Sequence, residues 1–371
     1  MSLFQLPRKV FFQRDIIESL GEILRKEGIG KVLFVSDENI YSLWQKRINT
    51  ALSNLHFDVF TKVFPEPEVQ YVEEVSSRFI GKKYDAIVAM GGGSVIDFSK
   101  SLAVKLSNPE KNLREVNPFE DLDLNIRLIA IPTTSGTGSD VSFGIVLSDN
   151  GAKLALGNYD LVPEIDILDP SLTPVDPKII VATGIDAFVH SFEAIASNAS
   201  TVFTDALAER AIETIFENLK NATENEESAK DLMHISATMA GIAFSNSGTA
   251  SAHALGHSFG ATFHVTHGTS VGLFLVPSIL FNSQDENTRK KYLRICKILN
   301  VQSIEDLVFK IEEFFRSVGQ PFHVRELGLS KEIYDSRIDD LVQLAMRDSE
   351  LAFNPVIAGE EDLKKIFAEN Y

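Results

Sequence analysis

The chain has 371 residues, 44% hydrophobic and 23% charged, the make-up of a soluble globular protein long enough for two domains. Its formal net charge of −17 argues against nucleic acid and anionic membrane as partners, since both are polyanions. A single cysteine, Cys296, leaves no disulfide framework and no cysteine metal cage, and its apolar helical setting reads as core. No secretory signal is read in the first residues. The longest apolar run, around Val271 to Phe281, falls short of the ~20 residues of a membrane helix. A cytoplasmic protein is expected.

The first half alternates. A helical pattern over Ile16–Lys26 precedes the β-rich run "KVLFVSD" (Lys31 to Asp37). "FDVFTKVF" (Phe57 to Phe64) follows, then helical spacing over Val69–Ile80 and the run "YDAIVAMGGGS" (Tyr84 to Ser94). A helix over Val95–Leu106 and the run "IRLIAIPTT" (Ile126 to Thr134) complete it. Strand–helix–strand alternation predicts an α/β domain, mostly a parallel sheet with helices on both faces. The texture changes between Asp169 and Asp176, where Pro170 and Pro174 punctuate the chain. From there "DPKIIVATGIDAFVHSFEAIAS", "TDALAERAIETIFENLKN" and "SAKDLMHISATMAGIAFSNSG" read as consecutive helices. The expected domains are 1–172, α/β, and 173–371, all-α. "NATENEESAKD" (Asn221 to Asp231) reads as a solvated helix connection.

The helical half holds a metal-like constellation. Ser251–Gly268 carries four of the eight histidines, His253, His257, His264 and His267, with no other acid or base between them. His253 and His257 are spaced four apart, as are Asp186 and His190 in "GIDAFVHSFEA". On a helix such a pair shares one face, with Cβ atoms roughly 5–6 Å apart. One carboxylate among several imidazoles suits a divalent transition ion, whether iron, zinc, nickel or copper. Ala254 stands where a zinc protease's HExxH motif has its glutamate, so that reading is poor.

The α/β half holds a nucleotide-like one. In "AIVAMGGGSVIDFSK" a strand runs through three glycines and Ser94 into a helix. Backbone at such a turn can approach a pyrophosphate, and the helix N-terminus offers free N–H groups. "PTTSGTGSD" (Pro132 to Asp140) is a second loop after a strand, dense in hydroxyls. Asp37 ends its strand. It suits either a ribose contact that repels a 2′-phosphate or the N-cap of the following helix.

In order along the chain, these motifs resemble the iron-containing (group III) alcohol dehydrogenase family, whose fold is shared with glycerol dehydrogenase and dehydroquinate synthase. The matching stretches are "VSD", "GGGSVIDFSK", "PTTSGTGSD", Lys153, "ILDPSLT", "TGIDAFVHSFEA", "AHALGHSFGA…HVTHG" and "AFNP". The resemblance implies a dinucleotide-binding domain, a helical metal-binding domain, an active site in the cleft between them, and a homodimer. It implies Asp186, His190, His253 and His267 as metal ligands, and His257 as a catalytic residue near the nicotinamide. It implies Gly92, Gly93 and Ser94 as the pyrophosphate loop, Thr133, Thr134 and Thr137 as the second coenzyme loop, and Lys153 as a lining residue. It implies Asp37 as the residue favouring NAD over NADP. The metal implied is Fe(II), with Zn(II) open on ligand chemistry. The chain departs from the family pattern at Asp140, where Glu is usual, at Ser142, where Thr is usual, and at Glu66, where Asn often stands. His264 has no role to carry over and reads as a loop residue. Phe143 reads as a pocket wall or a core residue.

The expected reaction is hydride transfer between a nicotinamide and a small neutral alcohol or aldehyde, with the ion as Lewis acid on the substrate oxygen. A histidine, whose ordinary pKa is ~6.5, suits proton relay at the position of His257. The alternatives are a glycerol dehydrogenase-like polyol oxidoreductase and a dehydroquinate-synthase-like lyase. The lyase's multiply charged substrate needs cationic partners. Between Asp176 and Asn287 the only ones are Lys178, Arg210, Lys220 and Lys230, none inside the histidine motif.

Overall fold

The computed structural model describes residues 3–150 and 152–371. The chain divides into two compact units, Met1–Pro174 and Val175–Tyr371. The first carries strands β1 (Lys9–Phe12), β2 (Lys31–Ser36), β3 (His56–Phe60), β4 (Ala86–Gly91), β5 (Arg127–Pro132), β6 (Gly144–Asp149), β7 (Ala152–Gly157) and β8 (Ile165–Leu168). Its helices are α1 (Leu20–Lys26), α2 (Glu38–Ala51), α3 (Val69–Ser76) and α4 (Gly93–Ser107).

Six strands form one sheet in the order β1-β8-β5-β4-β2-β3, every neighbouring pair parallel. β6 and β7 make a separate antiparallel hairpin. Alternation along β2 shows why the sheet is covered on both faces. Val32 and Phe34 pack with Leu20, Leu24 and Ile48 on one side. Leu33 and Val35 pack with Val72, Phe98 and Leu102 on the other. Successive strand side chains point to opposite faces, so a strand buried twice reads as a continuous apolar run.

Chain connectivity reverses direction across the sheet at β2 and β4. In a doubly wound sheet, ligands bind at the carboxyl ends of strands beside such a switch point. Those ends carry Asp37 after β2 and Gly92–Ser94 after β4, with Thr133 after the neighbouring β5. Two elements are shorter than the sequence reading. β3 stops at Phe60 and α3 at Ser76. Ser76 Oγ donates to Glu73 O and Ser77 Oγ to Glu74 O, competing for carbonyls the helix would use. Gly81 then turns in the left-handed region at φ 85°.

The second unit is helical throughout, with no strand among its described residues. Its helices are α5 (Pro177–Ala196), α6 (Val202–Thr223), α7 (Glu227–Ser245), α8 (Ser251–Phe263) and α9 (His267–Asn282). α10 (Glu286–Ile298), α11 (Ile304–Val318), α12 (Lys331–Asp335), α13 (Ile338–Met346) and α14 (Glu360–Glu369) follow. α5 is the core helix and packs against α6, α7 and α9. Among the described residues it alone is long and apolar enough to cross a membrane, a candidate the apolar-run reading passed over, yet 83% of its apolar window is buried within the protein. Cys296 is buried on α10, as expected of a core residue.

Candidate active site

In the helical unit, three helices bring four ligand-type side chains together. α5 places Asp186 and His190 one turn apart on one face. α8 supplies His253 from its first turn, and α9 begins at His267. The close approach of α9 to α5 depends on Gly268. A Cβ there would stand 1.8 Å from Ala182 O, so a larger residue would push His267 away from Asp186.

One ligand atom from each of Asp186, His190, His253 and His267 lies within 4.8 Å of all the others. Around Asp186 Oδ1, the Nε2 atoms of His190 and His253 stand at 3.8 Å and that of His267 at 3.2 Å. Asp186, His190 and His253 are buried, while His267 stays partly open. Asp186 Oδ1 and His253 Nε2 are buried without any hydrogen-bond partner. Leaving a buried polar atom unpaired costs about 1–3 kcal/mol, and a divalent ion would satisfy these atoms together. The donor set, one carboxylate and three imidazoles, fits such an ion.

The electrostatics of Asp186 and His190 agree with that use, while His253 would give up a proton on binding the ion. Burial opposes ionisation of Asp186, but His190, His267 and His253 outweigh it and hold the carboxyl well below its usual range. Burial, with the neighbouring histidines, pushes His190 down to about 3, which leaves its imidazole neutral. Burial also opposes charge on His253, but Glu193 and Asp186 lift it to about 10.

Glu193, which the sequence reading did not single out, proves central. It lies one further turn along α5, its carboxylate meets His253 Nδ1, and it also accepts from the backbone N–H of Ala252. Its second role is structural. The first N–H groups of a helix lack intrahelical partners, and Ala250 at the N-cap of α8 offers no side chain to them. Glu193 takes Ala252, and Asn354 Oδ1 takes Ser251 N at 3.2 Å. Glu350 accepts from Thr249 N and Thr249 Oγ1, at 3.2 and 2.7 Å. The late segment around "AFNP" thus anchors the start of the histidine helix. The signal for Glu193 was an acid three residues past His190 in an otherwise apolar helix.

His257 stands outside the four-residue cluster. Its Nδ1 meets Asp348 Oδ2 at 2.8 Å, and its ring stacks on His267 with centroids 5.2 Å apart. Asp348 is held below its usual range, because the hydrogen bond and charge of His257 outweigh burial. His264 is the left-handed C-cap of α8 at φ 55°, a loop residue as read.

In the α/β unit, Gly92 is the N-cap of α4, with no side-chain cap, and Gly93 and Ser94 open the helix. A Cβ on Gly93 would come within 3.2 Å of Thr137 and Ser139 side-chain atoms, so the two loops are in contact. Thr133 N donates to Gly91 O, and Thr134 lies beside Gly92. Behind the loops the buried Lys100 donates to Ser142 O and Gly144 O, both at 2.8 Å. Burial pushes it down to about 8 against the pull of Asp97 and Asp140. Lys153 lies on β7 with Nζ 3.4 Å from Glu66. Asp37 caps α2, its Oδ1 accepting from Ile40 N at 2.9 Å. Phe143 packs on Tyr159, with ring centroids 5.0 Å apart.

The chain is similar to known proteins over nearly its whole length. The iron-containing alcohol dehydrogenase family matches residues 7–170, and the C-terminal region of the Fe-containing alcohol dehydrogenase family matches residues 180–371. An alcohol dehydrogenase of Thermococcus barophilus is 32% identical over 99% of this chain and 98% of its own length. An NADPH-dependent butanol dehydrogenase of Clostridium saccharobutylicum is 29% identical over 99% of this chain and 97% of its own. The structure of an iron-containing alcohol dehydrogenase from Thermococcus thioreducens superposes with a TM-score of 0.93 at 30% identity, covering 100% of this chain and 99% of that one. With the ligand cluster, the parallel sheet and these matches in agreement, the chain belongs to the iron-containing alcohol dehydrogenase family.

Proposed function

We propose that this alcohol dehydrogenase interconverts small neutral alcohols and aldehydes, with NAD as the preferred hydride carrier and one divalent iron held by Asp186, His190, His253 and His267. The observation that carries the reading is the convergence of those four side chains, with Asp186 Oδ1 and His253 Nε2 buried and unpaired. When bound, the ion supplies Lewis acidity toward the substrate oxygen, and the nicotinamide accepts or gives the hydride.

The chain's own residues do the rest. The ionised Asp186 offsets part of the metal's charge, and Glu193 fixes the ring of His253. Asp348 only accepts, so it keeps a proton on His257 Nδ1 and leaves Nε2 as the basic nitrogen. His257 Nε2 takes the alcohol proton and passes it to water. In the α/β unit, the N–H groups at Gly93 and Ser94 and the ammonium of Lys153 bind the coenzyme phosphates. Thr133, Thr134 and Thr137 hydrogen-bond along the coenzyme. Asp37 Oδ2 accepts from the adenosine ribose, which supports NAD. One relative is named NADPH-dependent, so the coenzyme is tested directly. Protein purified without added ions is assayed for bound metal, then offered a series of short alcohols with NAD and with NADP. Bound iron and turnover of a short alcohol are expected. Absence of both metal and turnover would refute the reading.

A further inference from the structure

The loop Phe64–Glu68 reads "FPEPE", and its tip is held from two sides. Pro67 O accepts from Ser148 N on β6 at 2.9 Å, and Glu68 bridges the same residue. Glu66 N points to Ser94 Oγ at 3.4 Å. Between these anchors Glu66 takes a left-handed backbone, φ 50°, uncommon for a residue other than glycine. The result is that its carboxylate lies 3.4 Å from Lys153 Nζ, beside the opening of α4. Glu66 therefore touches Ser94 through its backbone N–H and, through its carboxylate, the Lys153 ammonium that the proposed function assigns to the coenzyme phosphates.

We propose that Glu66 is an internal stand-in for a coenzyme phosphate, which the dinucleotide must displace from Lys153 in order to bind. The inference rests on the coenzyme reading above and adds an affinity-setting residue to it. A carboxylate here acts twice against the ligand. It engages Lys153 in the free protein, and it is a like charge beside the pyrophosphate in the complex. Both effects weaken coenzyme binding and favour its release. The pair is solvent-exposed on both sides, 39% for Lys153 and 67% for Glu66, so the effect is modest. Exposed pairs are worth a few tenths to about 1 kcal/mol, or a factor of about two to five in affinity.

The test is the Kd for NADH, read by its fluorescence on the metal-free protein, so that no turnover is needed. Glu66→Gln keeps the shape and removes the charge. It should tighten NADH about two- to fivefold at low ionic strength, with the gain fading as salt screens the charges. In a Lys153→Gln background the same change should gain less, because the cation it competes for is gone. An unchanged or weaker Kd for Glu66→Gln, or an equal gain in the Lys153→Gln background, overturns the proposal while leaving the coenzyme reading intact. If wild type and variant both fail to bind NADH and NADPH, the coenzyme reading falls and this inference with it.

Discussion

His253 and Glu193 meet across two helices, imidazole Nδ1 against carboxylate, with both side chains buried. The contact leaves His253 Nε2 as the nitrogen that faces Asp186. It also ties the first turn of α8 to α5, since the same carboxylate takes the Ala252 N–H. Orientation of the His253 ring and placement of its helix therefore depend on one side chain.

Glu193→Gln should lower metal affinity about 10- to 100-fold, the usual cost of losing a carboxylate behind a histidine ligand. The amide can still accept from Ala252 N, so the fold should survive. Metal competition against a chelator, with thermal unfolding as control, reads both. His253→Ala or His267→Ala removes one of the four proposed ligands and should abolish stoichiometric metal binding. Full metal occupancy in either alanine variant would show the ligand set to be wrong.

His257→Ala should keep the metal, because His257 is not one of the four converging residues. It should lose roughly 10²-fold in kcat, as expected for a missing proton-transfer group. Asp348→Asn should follow it with a smaller loss, about tenfold. Asn can donate to Nδ1 and so moves the imidazole proton to Nε2. Its remaining oxygen can still accept from Glu350 N, a bond the carboxylate makes at 2.9 Å. Metal content and kcat measured on both variants check this. Loss of metal in His257→Ala would make His257 a ligand.

The cluster in the helical unit was more legible than the sheet of the α/β unit. Helical spacing in an apolar setting points to Asp186 with His190 and to His253 with His257, while the choice of His253 and His267 over His257 as ligands comes only from the family resemblance. β1 and β8 escaped the reading, because each is four residues long and β8 carries Asp166 in the middle of its buried stretch. The β6–β7 hairpin also escaped, although Asn150–Gly151 is a strong turn signal between two apolar alternations. What sequence could not supply were contacts made at a distance. Glu193 with Ala252, Asp348 with His257 and Asn354 with Ser251 are separated by 59, 91 and 103 residues. No local pattern encodes them.

Asp166 gives a pH-dependent prediction. It is buried in β8 with neither carboxyl oxygen hydrogen-bonded. Burial and the nearby Asp140 hold its pKa well above the usual carboxylate value. The sign follows from linkage. An acid with a raised folded pKa favours the fold fully below its unfolded pKa of ~3.9, and that contribution is lost as pH rises through the folded value. Asp166→Val removes the penalty and suits a strand. It should stabilise the protein by about 1–3 kcal/mol near pH 8 and by less near pH 5. Thermal unfolding of both proteins at the two pH values decides. An equal shift at both, or a loss at both, would mean that Asp166 has partners that keep it charged in the fold.

Asp37→Gly should raise the use of NADP relative to NAD. With Oδ1 engaged as the cap of α2, Oδ2 is the oxygen left to meet a ribose hydroxyl. At the carboxyl end of β2, beside the switch point, that oxygen would face the 2′-phosphate of NADP as one negative charge against nearly two. Relief of about 1.4 kcal/mol is worth a factor of ten, so the ratio of kcat/KM for NADP over NAD should rise by about that much. The cap is lost in the same variant, but Gly is a tolerable N-cap and the cost is a few tenths of a kcal/mol. Stability and selectivity therefore separate. A small drop in unfolding temperature with a raised ratio supports the ribose contact. The same drop with an unchanged ratio would reduce Asp37 to the helix cap that the hydrogen bond to Ile40 already describes.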